Sequence, residues 1–218
     1  MEYLTQFVNF FLHLDKSLSG VIAQYGTLTY GILFVVIFAE TGLVVTPFLP
    51  GDSLLFAAGA LAPTTGLRPE LLFVLLTAAA VIGDAVNYSI GQMIGQRALS
   101  GDIKFIKKEY LDKTHAFYEK YGNKTIVLAR FVPIVRTFAP FVAGVGKMSY
   151  RKFATYNVVG AILWVGSLLS AGYFFGGIPV VKKNFELVII GIIVVSILPG
   201  FYEWWRAHAR AVAQRQEL

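Results

Sequence analysis

Residues 125–147 are apolar enough to enter a bilayer, yet they carry Arg130 and Arg136, with Pro133 between them and Pro140 just beyond. An earlier apolar stretch carries the opposite sign: Glu40, then Pro47, Pro50, Gly51 and Asp52. These two interrupted segments constrain the fold more than any other feature. A charge at bilayer depth costs roughly 2.5–3.5 kcal/mol on insertion scales. Proline there frees backbone groups that lipid cannot satisfy. Such features persist where protein or a water-filled cavity covers them. The sequence therefore predicts a polar site inside a membrane, built from two broken apolar segments.

The remainder of the chain fits that environment. It is 56% hydrophobic and 15% charged, with a mean hydropathy of +0.63, where a soluble domain has about 25% charged residues. An all-α, polytopic membrane protein is expected, as one membrane domain over 1–218. The net charge of +6 is spread over loops and tail, which fits the positive-inside bias and gives no reason to expect nucleic acid as a partner. Cysteine is absent, so disulfides, iron–sulfur clusters and thiol catalysis are excluded. His13, His115 and His208 are far apart, and no metal or other cofactor is expected. The first 25 residues include Glu2, Asp15 and Lys16 with no small-residue cleavage site after them, so no signal peptide is expected.

Along the chain, residues 1–27 read as an amphipathic N-terminal helix near the interface. Residues 28–96 form a first repeat. In it, 28–49 are apolar apart from Glu40, and the run Thr46-Pro47-Phe48-Leu49-Pro50-Gly51-Asp52-Ser53 breaks any helix. Residues 54–62 then resume but are too short to span. A re-entrant hairpin over 28–62 is expected, with a full span plus a half helix as the alternative. A loop over 63–70 follows, then a long span over 70–96 holding Asp84 and Asn87 and ending in Gly91-x-x-x-Gly95. Residues 97–124, with seven Lys/Arg against four Asp/Glu, read as an amphipathic basic surface helix that sets topology and contacts lipid. The second repeat, 125–177, holds a re-entrant hairpin over 125–147. A span over 153–177 follows, with Asn157, Trp164 and Gly172-x-x-x-Gly176. Residues 185–218 supply a last span, ending at Trp204 and Trp205, and a basic tail. The loop 97–124, the cluster Lys147/Arg151/Lys152 and the tail share one side if 125–147 turns back without crossing. That side, and the C-terminus with it, is expected to be cytoplasmic.

The halves resemble each other. Ala58-Gly59 answers Ala143-Gly144, and Ser89, Gly91 and Gly95 answer Ser170, Gly172 and Gly176 at a constant offset of 81. With the first hairpin opening outward and the second inward, this is an inverted repeat. Such repeats place substrate near the midplane, where discontinuous helices meet.

Arg130 and Arg136, six residues apart, would diverge on an unbroken helix. Pro133 could let them converge on one ligand. Guanidinium pairs bidentately with phosphate or carboxylate, so both are candidate headgroup-binding residues; the bland alternative is structural ion pairing to Glu40 and Asp52. Those two acids are candidate proton-coupling and charge partners. Asp52 also suits the N-cap of the returning half helix. Asp84, Asn87 and Asn157 are expected to support the site from behind, through helix packing and interhelical hydrogen bonds. Pro47, Pro50, Gly51, Pro133 and Pro140 are the expected hairpin breaks.

The stretch Phe38-Ala39-Glu40-Thr41-Gly42-Leu43 leading to Pro47-Phe48-Leu49-Pro50-Gly51-Asp52 resembles the DedA family of bacterial inner-membrane proteins. So do Gly83-Asp84…Asn87-Tyr88…Gly91…Gly95, Ala129-Arg130-Phe131-Val132-Pro133…Arg136…Ala139-Pro140…Ala143-Gly144, and the spacing of Phe153, Asn157, Gly160 and Trp164. The likeness covers roughly residues 20–180, with no departure at the charged positions. It implies a relation to VTT-domain lipid scramblases, an inner-membrane location and translocation of undecaprenyl phosphate. It also implies dependence on the proton motive force, with Glu40, Asp52, Arg130 and Arg136 at functional positions. The expected function is thus proton-coupled transport of an anionic polyprenyl phosphate, not enzymatic catalysis. A proton-coupled antiporter of small cations or drugs and a passive phospholipid scramblase are the alternatives. Assembly as a homo-oligomer is left open.

Overall fold

The computed structural model describes residues 14–43, 51–99, 124–192 and 194. Among them all regular structure is helical: α1 (Leu14–Tyr25), α2 (Leu28–Gly42), α3 (Gly51–Thr65), α4 (Pro69–Leu99), α5 (Lys124–Ala129), α6 (Pro133–Val145), α7 (Tyr150–Phe175) and α8 (Pro179–Lys183). A further helical stretch covers 185–192. Residues 1–13, 44–50 and most of the basic segment 97–124 lie outside the described residues, as do Pro47, Pro50, His115 and the tail beyond 194.

Local chemistry explains where these helices start and stop. Proline opens α6, because its fixed φ suits a first helical turn that needs no donor. Val132 before it is pushed to an extended conformation, φ −121° and ψ 104°. The turn between α6 and α7 uses Lys147 at φ 54°, and Met148 N–H returns to the carbonyl of Ala143 at 3.0 Å. This is a left-handed helix stop, a place usually given to glycine.

Length sorts the helices into two kinds. At 1.5 Å per residue, α4 with 31 residues is about 46 Å long and α7 with 26 about 39 Å. Both exceed a hydrocarbon core of about 30 Å. In contrast α2 and α3, with 15 residues each, reach only about 22 Å, and α6, with 13, about 20 Å. The outward faces of the long helices are apolar. Val74, Ile82, Val86 and Met93 on α4, and Val158, Val159, Ile162 and Leu163 on α7, are exposed. A water-facing helix would be polar there; these faces suit lipid.

Small residues bring the helices together. A Cβ added at Gly59 or Gly172 would overlap backbone of the partner helix, the carbonyls of Leu169 and Phe56 respectively, so α3 lies tightly along α7. In the same manner Gly144 of α6 faces backbone of Tyr88 and Gln92, and Gly91 and Gly95 of α4 face Phe141 and Val145. Gly42 of α2 meets Gly83 of α4. Close backbone approach of this kind drives helix association where lipid is as apolar as the side chains. A larger apolar core joins α1–α4 to α7, Phe185 and Ile189. A smaller one surrounds Tyr88, Ile126, Ala143 and Phe153.

Three local expectations need correction. The helix α3 runs through Pro63 to Thr65, so the loop begins at Gly66. Pro140 does not break the second hairpin: α6 continues through it to Val145. The missing amide forfeits a single bond, to the carbonyl of Arg136, within a helix packed closely along α4 at Phe141, Gly144 and Val145. Asp52 is not an N-cap, because α3 is already formed at Gly51 and Asp52 lies inside its first turn.

Candidate functional site

The chain turns at 130–132 between α5 and α6. Arg130 N–H still bonds back to Val127 at 3.3 Å, whereas Arg136 N–H already bonds Val132 at 2.7 Å. One arginine therefore ends a helix and the other begins the next. Both are buried, at 2% and 4% exposure.

Arg136 reaches two carboxylates. Its Nη1 donates to Asp52 Oδ1 and its Nη2 to Glu40 Oε1, each at 2.6 Å. Glu40 stands near the end of α2 and is 1% exposed. Its Oε1 also accepts the N–H of Gly51 at 3.2 Å. A Cβ at Gly51 would overlap the Glu40 carboxylate, so glycine there lets the first turn of α3 close over the acid. The helix N-terminus complements its negative charge.

Arg130 has different partners. Its Nη2 donates to Asp84 of α4 and to Asn157 of α7 in a compact ion-pair cluster. A longer contact, 3.5 Å, runs to the carbonyl of Ala80. Gly160 makes room for this side chain, since a Cβ there would stand 2.9 Å from Arg130 Cδ. Asn157 Nδ2 in turn donates to the carbonyl of Val81 at 3.0 Å, which holds its oxygen toward the arginine.

Trp164 joins the two groups. Its ring centroid lies 4.5 Å from Arg136 Cζ and 6.0 Å from Arg130 Cζ, within cation–π range. Its indole N–H donates to Asp52 Oδ1 at 2.8 Å. Behind the cluster, Asn87 donates to the carbonyls of Thr41 at 3.1 Å and Thr137 at 2.8 Å, tying α4 to both α2 and α6.

The sequence-predicted charges thus converge, but with a different pairing. Glu40 and Asp52 both go to Arg136. Asp84 and Asn157, expected behind the site, touch Arg130 directly, while Asn87 does stand behind, on backbone. Trp164 went unrecognised as a site residue. Its signal was available: Asn157 and Trp164 are seven apart, hence within about 20° of one another on a helix, with Gly160 between them on the same stripe.

Two guanidiniums face three carboxyl groups, so the cluster holds one acid more than it has bases. Among the described residues, Glu40 Oε2, Asp84 Oδ1, Asn87 Oδ1, Arg130 Nε and Arg130 Nη1 are buried with no hydrogen-bond partner. Folded proteins satisfy the great majority of such atoms, so this concentration sets the cluster apart from an ordinary packed interior. No group of three or more His, Cys, Asp or Glu among the described residues could hold a metal ion.

These features define a membrane protein whose all-helical fold closes on a buried charged cluster. A VTT domain matches residues 49–174, which takes in α3–α6, α7 up to its last residue and every charged residue of the site except Glu40. Protein DedA of Escherichia coli K12 is 58% identical over 217 residues, covering 98% of this chain and 99% of that one. An uncharacterized membrane protein of Mycobacterium tuberculosis H37Rv is 43% identical over 184 residues, 83% of this chain and 81% of the relative. The inner membrane protein YqjA of Escherichia coli K12 is 33% identical over 199 residues, 91% and 90% of the two chains. No solved structure matches. The chain belongs to the DedA family of VTT-domain membrane proteins.

Proposed function

We propose that this protein transports an anionic lipid carrier, of which undecaprenyl phosphate is the type, across the inner membrane, coupled to the proton gradient. The observation that carries this reading is the buried cluster itself: Arg130 and Arg136 face Glu40, Asp52 and Asp84 in the interior of an otherwise apolar fold. A buried ion pair is weak support for stability, because desolvation offsets most of its attraction. Five charges at this depth make sense if they are exchanged for a charged substrate. A guanidinium of the cluster would take the phosphate, while the polyprenyl tail stays in lipid. The choice of undecaprenyl phosphate comes from the family resemblance.

The two segments that deliver the charges act as re-entrant hairpins entering from opposite faces, related as an inverted repeat. Several contacts favour this arrangement. The helices α2, α3 and α6 are too short to cross. Arg68 N–H donates to Tyr30 Oη at 2.7 Å, which puts the start of α2 beside the start of α4. The end of α6 lies along the end of α4 at Gly95, and Ala60 of α3 lies beside Gly176 at the end of α7. The charged ends of both hairpins therefore meet partway along α4 and α7.

The excess carboxylate gives the proton its place. A proton on Glu40 or Asp52 removes one of the two charges that hold Arg136 and loosens the closed cluster. A cation antiporter using the same two acids is less favoured, since a cation would compete with a guanidinium bound at 2.6 Å to each. The test is flipping of undecaprenyl phosphate in proteoliposomes with and without a pH gradient. Wild type should flip faster with the gradient, and Arg130→Ala and Arg136→Ala should not flip. Normal flipping by both variants would leave the arginines a structural role only. C-terminal orientation toward the cytoplasm and any self-association are part of the same proposal.

A further inference from the structure

The two arginines are not equivalent. Arg136 spends each terminal nitrogen on its own carboxylate and lies against Trp164. Arg130 has one carboxylate, and that contact, Asn157 Oδ1 and the Ala80 carbonyl all fall on the single nitrogen Nη2. A guanidinium has five N–H donors. Three of Arg130's, on Nε and Nη1, are buried with no partner among the described residues. Asp84 likewise uses one oxygen and leaves Oδ1 bare, so this pair forgoes the two-pronged contact open to it.

We propose that Arg130 alone is the phosphate-accepting residue, through its idle Nε–H and Nη1 donors, and that Arg136 is a latch closing the two chain breaks onto each other. A tetrahedral phosphate presents several acceptor oxygens and matches the unused donors in number and charge. Asp84 competes for the same guanidinium and sets how tightly the anion is held. Arg136 joins Glu40 at the end of α2 to Asp52 at the start of α3 while itself belonging to α6, so its bonds are the ones that must open for the site to be reached. Trp164 touches both arginines and carries the link between them. The assignment rests on the reading of the cluster as an anionic-headgroup site and divides the labour within it.

The experiment is calorimetric titration of the purified full-length protein in detergent with geranyl phosphate, inorganic phosphate and geraniol. Wild type should bind geranyl phosphate and not geraniol. Arg130→Lys, which keeps the charge and loses the fork, should weaken binding at least about tenfold, the scale of one lost charge-assisted hydrogen bond. Arg136→Lys should stay within about threefold of wild type in affinity yet lose gradient-driven flipping. Asp84→Asn should bind several-fold tighter, a gain that misfolding cannot produce. Equal loss of binding in both lysine variants overturns the division while leaving the lipid-carrier reading intact. Inorganic phosphate binding as well as geranyl phosphate, with loss in Arg130→Lys alone, supports the site and instead removes the lipid as its source. Wild-type affinity in Arg130→Lys, or no binding of either phosphate, overturns the proposal.

Discussion

Replacing Arg130 by methionine keeps a long side chain at the end of α5 but leaves Asp84, 1% exposed, as a buried carboxylate without its cation. Removing one member of a buried ion pair costs about 3–5 kcal/mol. Asp84→Leu strands Arg130 in the same way and should cost a similar amount. The double variant Arg130→Met/Asp84→Leu removes both charges and roughly conserves volume. What it still loses is the donor to Asn157 Oδ1 and the long contact to the Ala80 carbonyl, worth about 1–3 kcal/mol. The double variant should therefore regain about 2 kcal/mol over either single one, some thirtyfold in the unfolding equilibrium. Dodecyl-sulfate titration of the detergent-solubilised protein, followed by circular dichroism, reads this directly. The double variant should also be inactive in flipping, which separates stability from transport. A double variant no more stable than Arg130→Met alone would falsify the pairing of Arg130 with Asp84 on which the site is built.

Gly144→Val should destabilise by about 1–3 kcal/mol through overpacking, because its side chain would meet backbone of Tyr88 and Gln92; Gly31→Ala, in open space on α2, should not, and dodecyl-sulfate midpoints compare the two. Lys147→Gly should stabilise by roughly 1 kcal/mol, since Lys147 holds φ 54° where a Cβ is penalised; an unchanged or lower midpoint would show that the side chain contributes more than the strain it carries. Because the chain has no cysteine, single substitutions Ser149→Cys and Thr64→Cys report topology cleanly. An impermeant maleimide added to intact cells should label position 64 and spare position 149, and the reverse pattern inverts the orientation.

Much of this protein is legible residue by residue. Pro133 marks the turn between α5 and α6, and the long spans expected at 70–96 and 153–177 appear as helices over 69–99 and 150–175. Glycine at 91, 95 and 172 signals close helix contact, and the structure finds each of them against backbone. Where local reading fails, a longer-range term has won. Pro140 should end a helix by its own chemistry, yet α6 passes through it, held along α4 at Gly91, Gly95 and Gly144. Asp52 suits a cap by sequence, yet it is drawn into the ion pair with Arg136 and the hydrogen bond from Trp164.

Hydropathy, proline placement and the sign of each charge act over a few residues, so the sequence by itself determined that two bent apolar segments carry opposite charges into a membrane. Which charge meets which was decided by the tertiary structure alone. Asp84 and Arg130 are 46 residues apart and Glu40 and Arg136 are 96 apart. No local preference spans such distances. The choice is made where Gly160 opens space for one arginine and Gly51 lets α3 close over Glu40. Burial then leaves each guanidinium no solvent to turn to, only the carboxylate that packing has placed within reach.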